Sequence, residues 1–365
     1  MSAGEEKLKI SWDDIKTVEV DETLRRQEAI DRSQANYAGT NPYANSAATA
    51  ALPSGGGLLD VVYSPWFYMT GFGLVGGFLG WFAGEIVNFV LELVAPSEAS
   101  SVLALLGYIY LSTAIFSGVV GAIIAFFLSV ADSAMSRNLR GVIVNGCVGV
   151  AIAGVVAALG SCFANFIFQV IGAFAEDSLP MQILARAIGW MIMGVVLTLA
   201  PGVTMRSFKR LGIGLVGGAI GGFVGGLFFD PISMVVPFDI VSRFVGILAI
   251  GTLAGAATGL IEVAAKSGWV RVTQGLIVGK QFIFYKKATS IGSTPECDIY
   301  LFKDPSIAPR HATIHAVAGG YDLEDQGSAT GTFVNEKQVR RTRLKNGDAV
   351  RIGGTVLTYQ ERAKS

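Results

Sequence analysis

The sequence predicts a mixed fold class, in which a polytopic α-helical membrane bundle is followed by an all-β sandwich. Residues 61–265 are almost free of charge and contain long apolar runs with charges only at their ends. Such runs are typical of transmembrane helices, which need about 20 residues. Residues 266–365 instead alternate short apolar stretches with turns, a pattern that is typical of closely spaced strands.

Six membrane spans are predicted, and aromatic residues mark the start of the first. The spans lie at approximately 66–87, 103–130, 141–170, 184–203, 210–229 and 242–263. Trp66, Phe67 and Tyr68 stand where an aromatic belt would meet the membrane surface. Residues 1–60 are polar and end in a Gly-rich stretch, so they are predicted to be a cytoplasmic, largely flexible segment and linker.

A Gly-rich pattern recurs among the predicted spans. The stretch GFGLVGGFLGWFAG from Gly71 returns as GIGLVGGAIGGFVGG from Gly212, and RAIGWMIMG from Arg186 parallels RFVGILAIG from Arg243. This similarity predicts an internal repeat in which one helical hairpin is used three times. The first copy also matches G-x-G-x-x-G, but a dinucleotide site needs that spelling between a strand and a helix. Inside an apolar span it predicts helix packing instead.

Eight glycines are candidate helix-packing residues that form a glycine zipper. In each copy they are spaced four, three and four residues apart, which places them on one helix face. Small residues let helices approach closely in lipid, where no hydrophobic force drives helices together. The same faces would permit self-association. The residues are Gly73, Gly77, Gly80, Gly84, Gly214, Gly218, Gly221 and Gly225.

Charges between the spans predict the orientation of the bundle. Arg140 and Lys209 follow even-numbered spans, whereas Glu98 and Asp177 follow odd-numbered ones. Cytoplasmic loops carry an excess of Lys and Arg. Both termini are therefore predicted to be cytoplasmic, as an even number of spans also requires.

Four charged residues lie near the opposite ends of the spans, and they allow two interpretations. Glu85 and Glu92 follow the core of the first span, and Arg186 and Arg243 open spans four and six. Ionisable groups near lipid often serve a transport or ion site. Alternatively, they lie at the interface, where Arg pairs with Glu and fixes the hairpins.

Composition argues against several other classes of function. Twenty-eight basic and 28 acidic residues leave no net charge to attract nucleic acid. The three cysteines lack C-x-x-C spacing, so neither a metal site nor a disulfide framework is predicted. No cofactor is predicted, and because no catalytic motif is present, the chain is predicted not to be an enzyme.

The C-terminal region resembles a known family through four motifs. They are SIGSTPECDIYL, RHATI, YDLEDQGSATGTFVN and LKNGDAVRIGG, and in this order and spacing they are similar to a forkhead-associated (FHA) domain over about 269–361. The resemblance implies an eleven-stranded sandwich whose loops at one end bind phosphothreonine peptides. The membrane region resembles no family with comparable specificity.

The phosphate-binding positions of that family are only partly kept. Ser293 stands where the family has an Arg, Ala308 where it has a Ser, and Thr330 where it has an Asn. By resemblance, His311 and Asn335 brace the loops. The candidate peptide-binding residues are Ser293, Arg310, His311, Ser328, Thr330 and Asn335.

These features predict a membrane-anchored signalling or scaffolding protein that recruits a cytoplasmic protein partner to the bilayer. Recognition of phosphothreonine and recognition without phosphate both remain open. Thr17 and Thr23 lie beside acidic residues in the N-terminal segment and are candidate intramolecular phosphorylated ligands. The alternative is a channel or transporter whose gating the FHA domain controls.

Overall fold

A computed structural model describes residues 58–95, 101–174, 178–204, 207–235 and 239–362. Thr17, Thr23, Glu98 and Asp177 therefore lie outside the described residues.

Six long helices follow a short one and confirm the predicted bundle. Each long helix extends beyond its predicted span at both ends, and all six are long and apolar enough to cross a membrane. The helices are α1 (Leu58–Val62), α2 (Pro65–Leu93), α3 (Val102–Met135), α4 (Leu139–Phe174), α5 (Leu179–Thr204), α6 (Phe208–Val235) and α7 (Asp239–Ala265).

Polar side chains fix where several helices begin. The hydroxyl of Ser101 accepts a hydrogen bond from the amide of Ala104 at 3.2 Å, which satisfies one of the free N–H groups at the start of α3. Asn138 does the same for α4, because its Oδ1 accepts from the amide of Gly141 at 2.8 Å. The chain turns between α3 and α4 at Arg137, whose φ of 54° cannot continue a right-handed helix.

The six long helices form a closed ring, since each packs on the next and α2 packs on α7. The most extensive pairs are α2 with α7, α3 with α4, and α5 with α6, so the closest packing joins neighbouring predicted hairpins instead of lying within them. Large apolar side chains such as Phe82, Phe89 and Phe163 are exposed on the outside of the ring. A bilayer would cover such a surface.

The eight glycines face two neighbouring helices instead of one. A Cβ atom at Gly73 would clash with the carbonyl oxygen of Gly251 on α7, whereas Gly80 and Gly84 lie against Val120 on α3. The second copy is divided in the same way: Gly214 and Gly218 face α5, while Gly221 and Gly225 face α7. The spacing predicted one helix face, and in the ring that face contacts a neighbouring helix on each side of α2 and α6.

The C-terminal region is a sandwich of eleven strands in the described part of the chain. One sheet has the order β2-β1-β11-β10-β7-β8, and the other has the order β4-β3-β5-β6-β9. The strands are β1 (Gly268–Gln274), β2 (Gln281–Ile283), β3 (Ala288–Gly292), β4 (Ile299–Tyr300), β5 (Ala312–Val317), β6 (Gly320–Asp325), β7 (Thr332–Val334), β8 (Lys337–Val339), β9 (Arg341–Arg343), β10 (Ala349–Ile352) and β11 (Thr355–Glu361). Alternate residues face the core, where Val270, Ile291 and Tyr359 are fully buried.

Candidate functional site

Three loops lie side by side at one end of the sandwich. The amide of Ser293 donates to the carbonyl of Ala308 at 3.1 Å, and the amide of Gln326 donates to the carbonyl of His311 at 2.9 Å. These bonds join the loops into one surface, which we call the recognition edge. Its loops are β3–β4 (residues 293–298), β4–β5 (residues 301–311) and β6–β7 (residues 326–331).

His311 connects two loops of the recognition edge through hydrogen bonds. Its side chain is fully buried, and its Nδ1 accepts a hydrogen bond from the amide of Ala308 at 3.1 Å. Nδ1 therefore carries no proton, so Nε2 carries it and donates to the carbonyl of Gly331 at 3.2 Å. Burial lowers the pKa of His311, because the charged imidazolium would be desolvated there. His311 thus braces two loops as a neutral ring.

We expect His311→Gln to destabilise the sandwich and to remove part of its pH dependence. Unfolded histidine takes up a proton below about pH 6.5, and the folded ring resists that proton. The contribution of His311 is therefore present above about pH 6.5 and is lost as the pH falls toward its lower folded pKa. At pH 7.5 the substitution should cost about 1–3 kcal/mol, because two buried backbone groups lose a partner. Thermal unfolding of the sandwich at pH 5 and pH 7.5 measures both effects.

His315 provides the matched control, since it is the other histidine of the chain. Its ring is partly exposed and lies 3.0 Å from the carboxylate of Glu324. His315→Gln should change stability at pH 7.5 by less than about 1 kcal/mol. Equal pH profiles for wild type and His311→Gln would contradict the assigned role of His311.

The hydroxyls of the β6–β7 loop are engaged within the domain. Ser328 donates to the carboxylate of Asp325 at 2.5 Å, and Thr330 donates to the carbonyl of Ser306 at 2.7 Å. Partial burial opposes ionisation of Asp325, but its hydrogen bonds from Ser328 and Thr332 outweigh that effect and lower its pKa. These hydroxyls therefore build the loop and would have to break a bond to donate to a ligand.

The remaining candidates separate into two positions. Arg310 is exposed on the β4–β5 loop, and Ser293 is half-buried beside the same loop. Asn335 instead lies in the β7–β8 turn, where its φ is 49°. Its amide donates to Asp348 at 2.8 Å, and its carbonyl oxygen accepts from the amide of Ala349 at 3.0 Å. The structure thus brings Arg310 and Ser293 together but places Asn335 as a brace between turns.

Comparisons with known proteins agree with this geometry. A family model described as FHA domain matches residues 289–353. The chain is 34% identical over 111 residues to the glycogen accumulation regulator GarA of Mycolicibacterium smegmatis, covering 30% of this chain and 70% of that protein. It is also 34% identical over 111 residues to the oxoglutarate dehydrogenase inhibitor of Corynebacterium diphtheriae, covering 30% and 77% respectively.

The chain belongs to the FHA-domain family. Among solved structures, it is similar to the FhaA FHA domain complexed with the intracellular domain of Rv3910, with 24% identity and a TM-score of 0.24. That match covers 26% of this chain and 100% of the other. The family model over residues 289–353 confirms the resemblance of the C-terminal motifs, which concerns the FHA domain alone.

At the end of the bundle that lies away from the FHA domain, the structure pairs two of the four predicted charged residues. The guanidinium of Arg243 donates to both carboxylate oxygens of Glu85, at 2.7 and 2.9 Å. Glu92 instead accepts from the amide of Asn88 at 2.9 Å. Arg186 lies over the ring of Phe168 at 4.9 Å. These contacts fix α2 to α7 and α4 to α5.

A buried charge cluster, absent from the sequence-based predictions, joins the bundle to the FHA domain. Arg210 on α6 contacts Asp132 on α3 and lies 3.6 Å from Glu262 on α7. Lys280 comes from the β1–β2 loop of the FHA domain, and its Nζ lies 3.5 Å from Asp132. Tyr68 on α2 donates to the same carboxylate at 2.5 Å. We call these five residues the junction cluster.

Four of the five residues of the junction cluster are nearly fully buried, and the side chain of Asp132 is 17% exposed. Arg210, Glu262 and Lys280 are each no more than 3% exposed, and Tyr68 is 5% exposed. Tyr68 belongs to the aromatic triplet predicted at the membrane interface, but its side chain is buried because its hydroxyl donates to Asp132. A cavity of about 500 Å³ adjoins the cluster between the bundle and the FHA domain. The sequence carried a signal for this site, since Asp132 and Glu262 are isolated acids near the ends of apolar helices.

Proposed function

We propose that this protein is a membrane-anchored FHA protein that recruits a protein partner through its recognition edge. The observation that carries the proposal is the exposed Arg310, which stands on loops that the buried His311 holds in place. A guanidinium binds phosphate or carboxylate through charge-assisted hydrogen bonds. The relatives that share the domain are named as a regulator and an inhibitor, which fits binding without catalysis.

The proposed ligand is a phosphothreonine peptide, held mainly by Arg310. Ser293 stands at the position where the family has a phosphate-binding arginine. We propose that Arg310 performs the role of that arginine in this protein. Because the hydroxyls of Ser328 and Thr330 already donate within the domain, fewer neutral donors can reach the phosphate. We therefore propose that the affinity for the peptide depends on the single residue Arg310 to a greater degree than is usual in the family.

The proposed topology places both termini and the FHA domain in the cytoplasm. Arg137, Arg140, Lys209 and Lys266 lie at the end of the bundle that carries the FHA domain, and positive charge favours the cytoplasmic side. The recurrent packing of glycines in α2 and α6 supports a repeated glycine-zipper unit that builds the ring.

Two substitutions with opposite expected effects test the recognition edge. Arg310→Met should weaken capture of phosphothreonine peptides by about 10-fold or more, since a hydrogen bond to a charged group contributes about 1.5–3 kcal/mol. Ser293→Arg should strengthen capture by a similar factor, because it restores a second cation. Titration of the full chain in nanodiscs with a degenerate phosphothreonine peptide library measures both changes.

The control variant is Lys345→Met, which removes an exposed cation between β9 and β10. It should leave peptide binding unchanged within about twofold. The unphosphorylated library provides the second control. If all four proteins bound both libraries equally, phosphothreonine recognition would be rejected and recognition without phosphate would take its place.

A further inference from the structure

Lys280 is the FHA domain's contribution to a site that otherwise belongs to the membrane bundle. It ends the tight β1–β2 loop, in which its amide donates to the carbonyl of Ile277 at 3.1 Å. Its ammonium group lies 3.5 Å from Asp132 and 4.7 Å from the ring centroid of Tyr68. Burial lowers the pKa of Lys280, and the Asp132 carboxylate opposes that effect. An ammonium group is rarely buried without such a partner.

The docked FHA domain adds a cation to a site where the bundle holds two acidic groups and one guanidinium. The bundle contributes two carboxylates, Asp132 and Glu262, and one guanidinium, Arg210. Lys280 supplies the second cation. In the described part of the chain, Oε2 of the buried Glu262 has no hydrogen-bond partner, so this end of the bundle already holds more acceptor capacity than it uses. Withdrawal of Lys280 would leave the largely buried Asp132 without one of its two cationic partners.

The same interface also holds one loop of the recognition edge. The side-chain amide of Asn138, which caps α4, donates to the carbonyl of Pro295 at 2.9 Å. Arg140 forms an ion pair with Glu296 on the same β3–β4 loop. Both bundle residues are more exposed than Lys280, and exposed pairs contribute little stability. The buried Lys280 therefore dominates docking, while the outer contacts orient the β3–β4 loop.

We propose that Lys280 is a charge latch that docks the FHA domain on the bundle, and that its withdrawal releases the domain and the β3–β4 loop together. The latch has two states, with Lys280 either beside Asp132 or withdrawn from the junction cluster. The latch itself stands without the proposed function. Its effect on partner binding rests on the proposed function, since only then does the β3–β4 loop contact a ligand.

Spin-label distances in the full-length protein in nanodiscs test the latch without any ligand. Labels are attached to Leu139→Cys at the start of α4 and Lys337→Cys on β8, both at exposed positions, with the three native cysteines replaced by serine. Wild type should give one narrow distance distribution. Lys280→Met should shift the ratio of undocked to docked molecules by about 100-fold, as expected when a buried ion pair loses one partner. Asp132→Asn should give a similar shift.

The decisive variant combines Lys280→Met with Asp132→Asn. Because Lys280 and Asp132 act as one pair, this double substitution should undock the domain no further than Lys280→Met alone, whereas the wild type keeps its narrow distribution. Lys280→Arg should keep it, and the exposed Lys287→Met is the matched lysine control. Equal distributions for wild type and Lys280→Met, or a double variant whose shift in docking free energy is the sum of the two single shifts, would overturn the latch. Unchanged thermal unfolding of the sandwich in Lys280→Met establishes that the domain remains folded.

The peptide titration described above separates the latch from the proposed function. If the latch opens in Lys280→Met and phosphothreonine peptides bind about 10-fold more tightly, both are supported. If the latch opens and no variant binds peptide, the latch stands and the proposed function fails.

Discussion

Asp132→Ala should cost the membrane bundle about 3–5 kcal/mol of stability, the range measured when one partner of a buried ion pair is removed. Asp132 contacts Arg210, lies 3.5 Å from Lys280, and accepts a hydrogen bond from Tyr68. Alanine would leave two buried cations facing the single carboxylate of Glu262. Denaturation of the purified protein in mixed detergent micelles, followed by far-UV circular dichroism, measures the change in the free energy of unfolding.

Glu92→Ala is the matched control for a carboxylate on a long helix. Glu92 is exposed and accepts one hydrogen bond from Asn88, in the next turn of the same helix. Its loss should change the free energy of unfolding by less than about 0.5 kcal/mol. An effect of Asp132→Ala as small as that of Glu92→Ala would show that the junction cluster contributes little to the bundle.

Gly73→Val should destabilise the bundle by about 3 kcal/mol, at the upper end of the range for overpacked interiors. The new Cβ would meet the carbonyl oxygen of Gly251 and would come within 3.5 Å of the Cα of Gly255. Backbone atoms cannot move aside as a flexible side chain does, so α2 and α7 must separate. The same unfolding measurement detects the loss, and the closed ring should weaken at that contact.

Gly71→Val tests the alternative that any valine in this helix is harmful. Gly71 lies two residues earlier in α2, and nothing lies within 4 Å of a Cβ atom placed there. Its substitution should change stability by less than about 0.5 kcal/mol. Equal losses at both positions would mean that the space at Gly73 does not determine helix packing. The comparison also separates two glycines of the G-x-G-x-x-G stretch by their contacts, although the motif treats them alike.

The ends of the long helices were predictable to within a few residues, and the reason lies in local chemistry. Apolar runs set their length, while residues such as Ser101 and Asn138 satisfy free N–H groups where the chain leaves the membrane. The FHA fold was predictable for a similar reason. Its turn residues and buried strand residues appear in the sequence as motifs in a fixed order. His311 occupies the position that the resemblance implied.

The partner of each glycine was not predictable from spacing. A stripe of small residues says that a helix is approached closely, but it does not say how many neighbours approach. Gly77 contacts α7 and Gly80 contacts α3, because α2 lies between these two helices in the closed ring. In the same way, Tyr68 belongs to an aromatic triplet in the sequence, yet its hydroxyl bonds to a residue 64 positions away.

The sequence by itself determined which segments form helices long and apolar enough to cross a membrane, which segment forms the FHA sandwich, and which residue types stand on the loops. These properties follow from composition, from the spacing of apolar residues and from hydrogen bonds between residues that are close in the sequence. Only the tertiary structure decided that Lys280 of the FHA domain pairs with Asp132, in a cluster that Arg210 and Glu262 complete from two further helices. Charge pairing acts through space, and its energy depends on burial and distance, which no order of residues along the chain specifies.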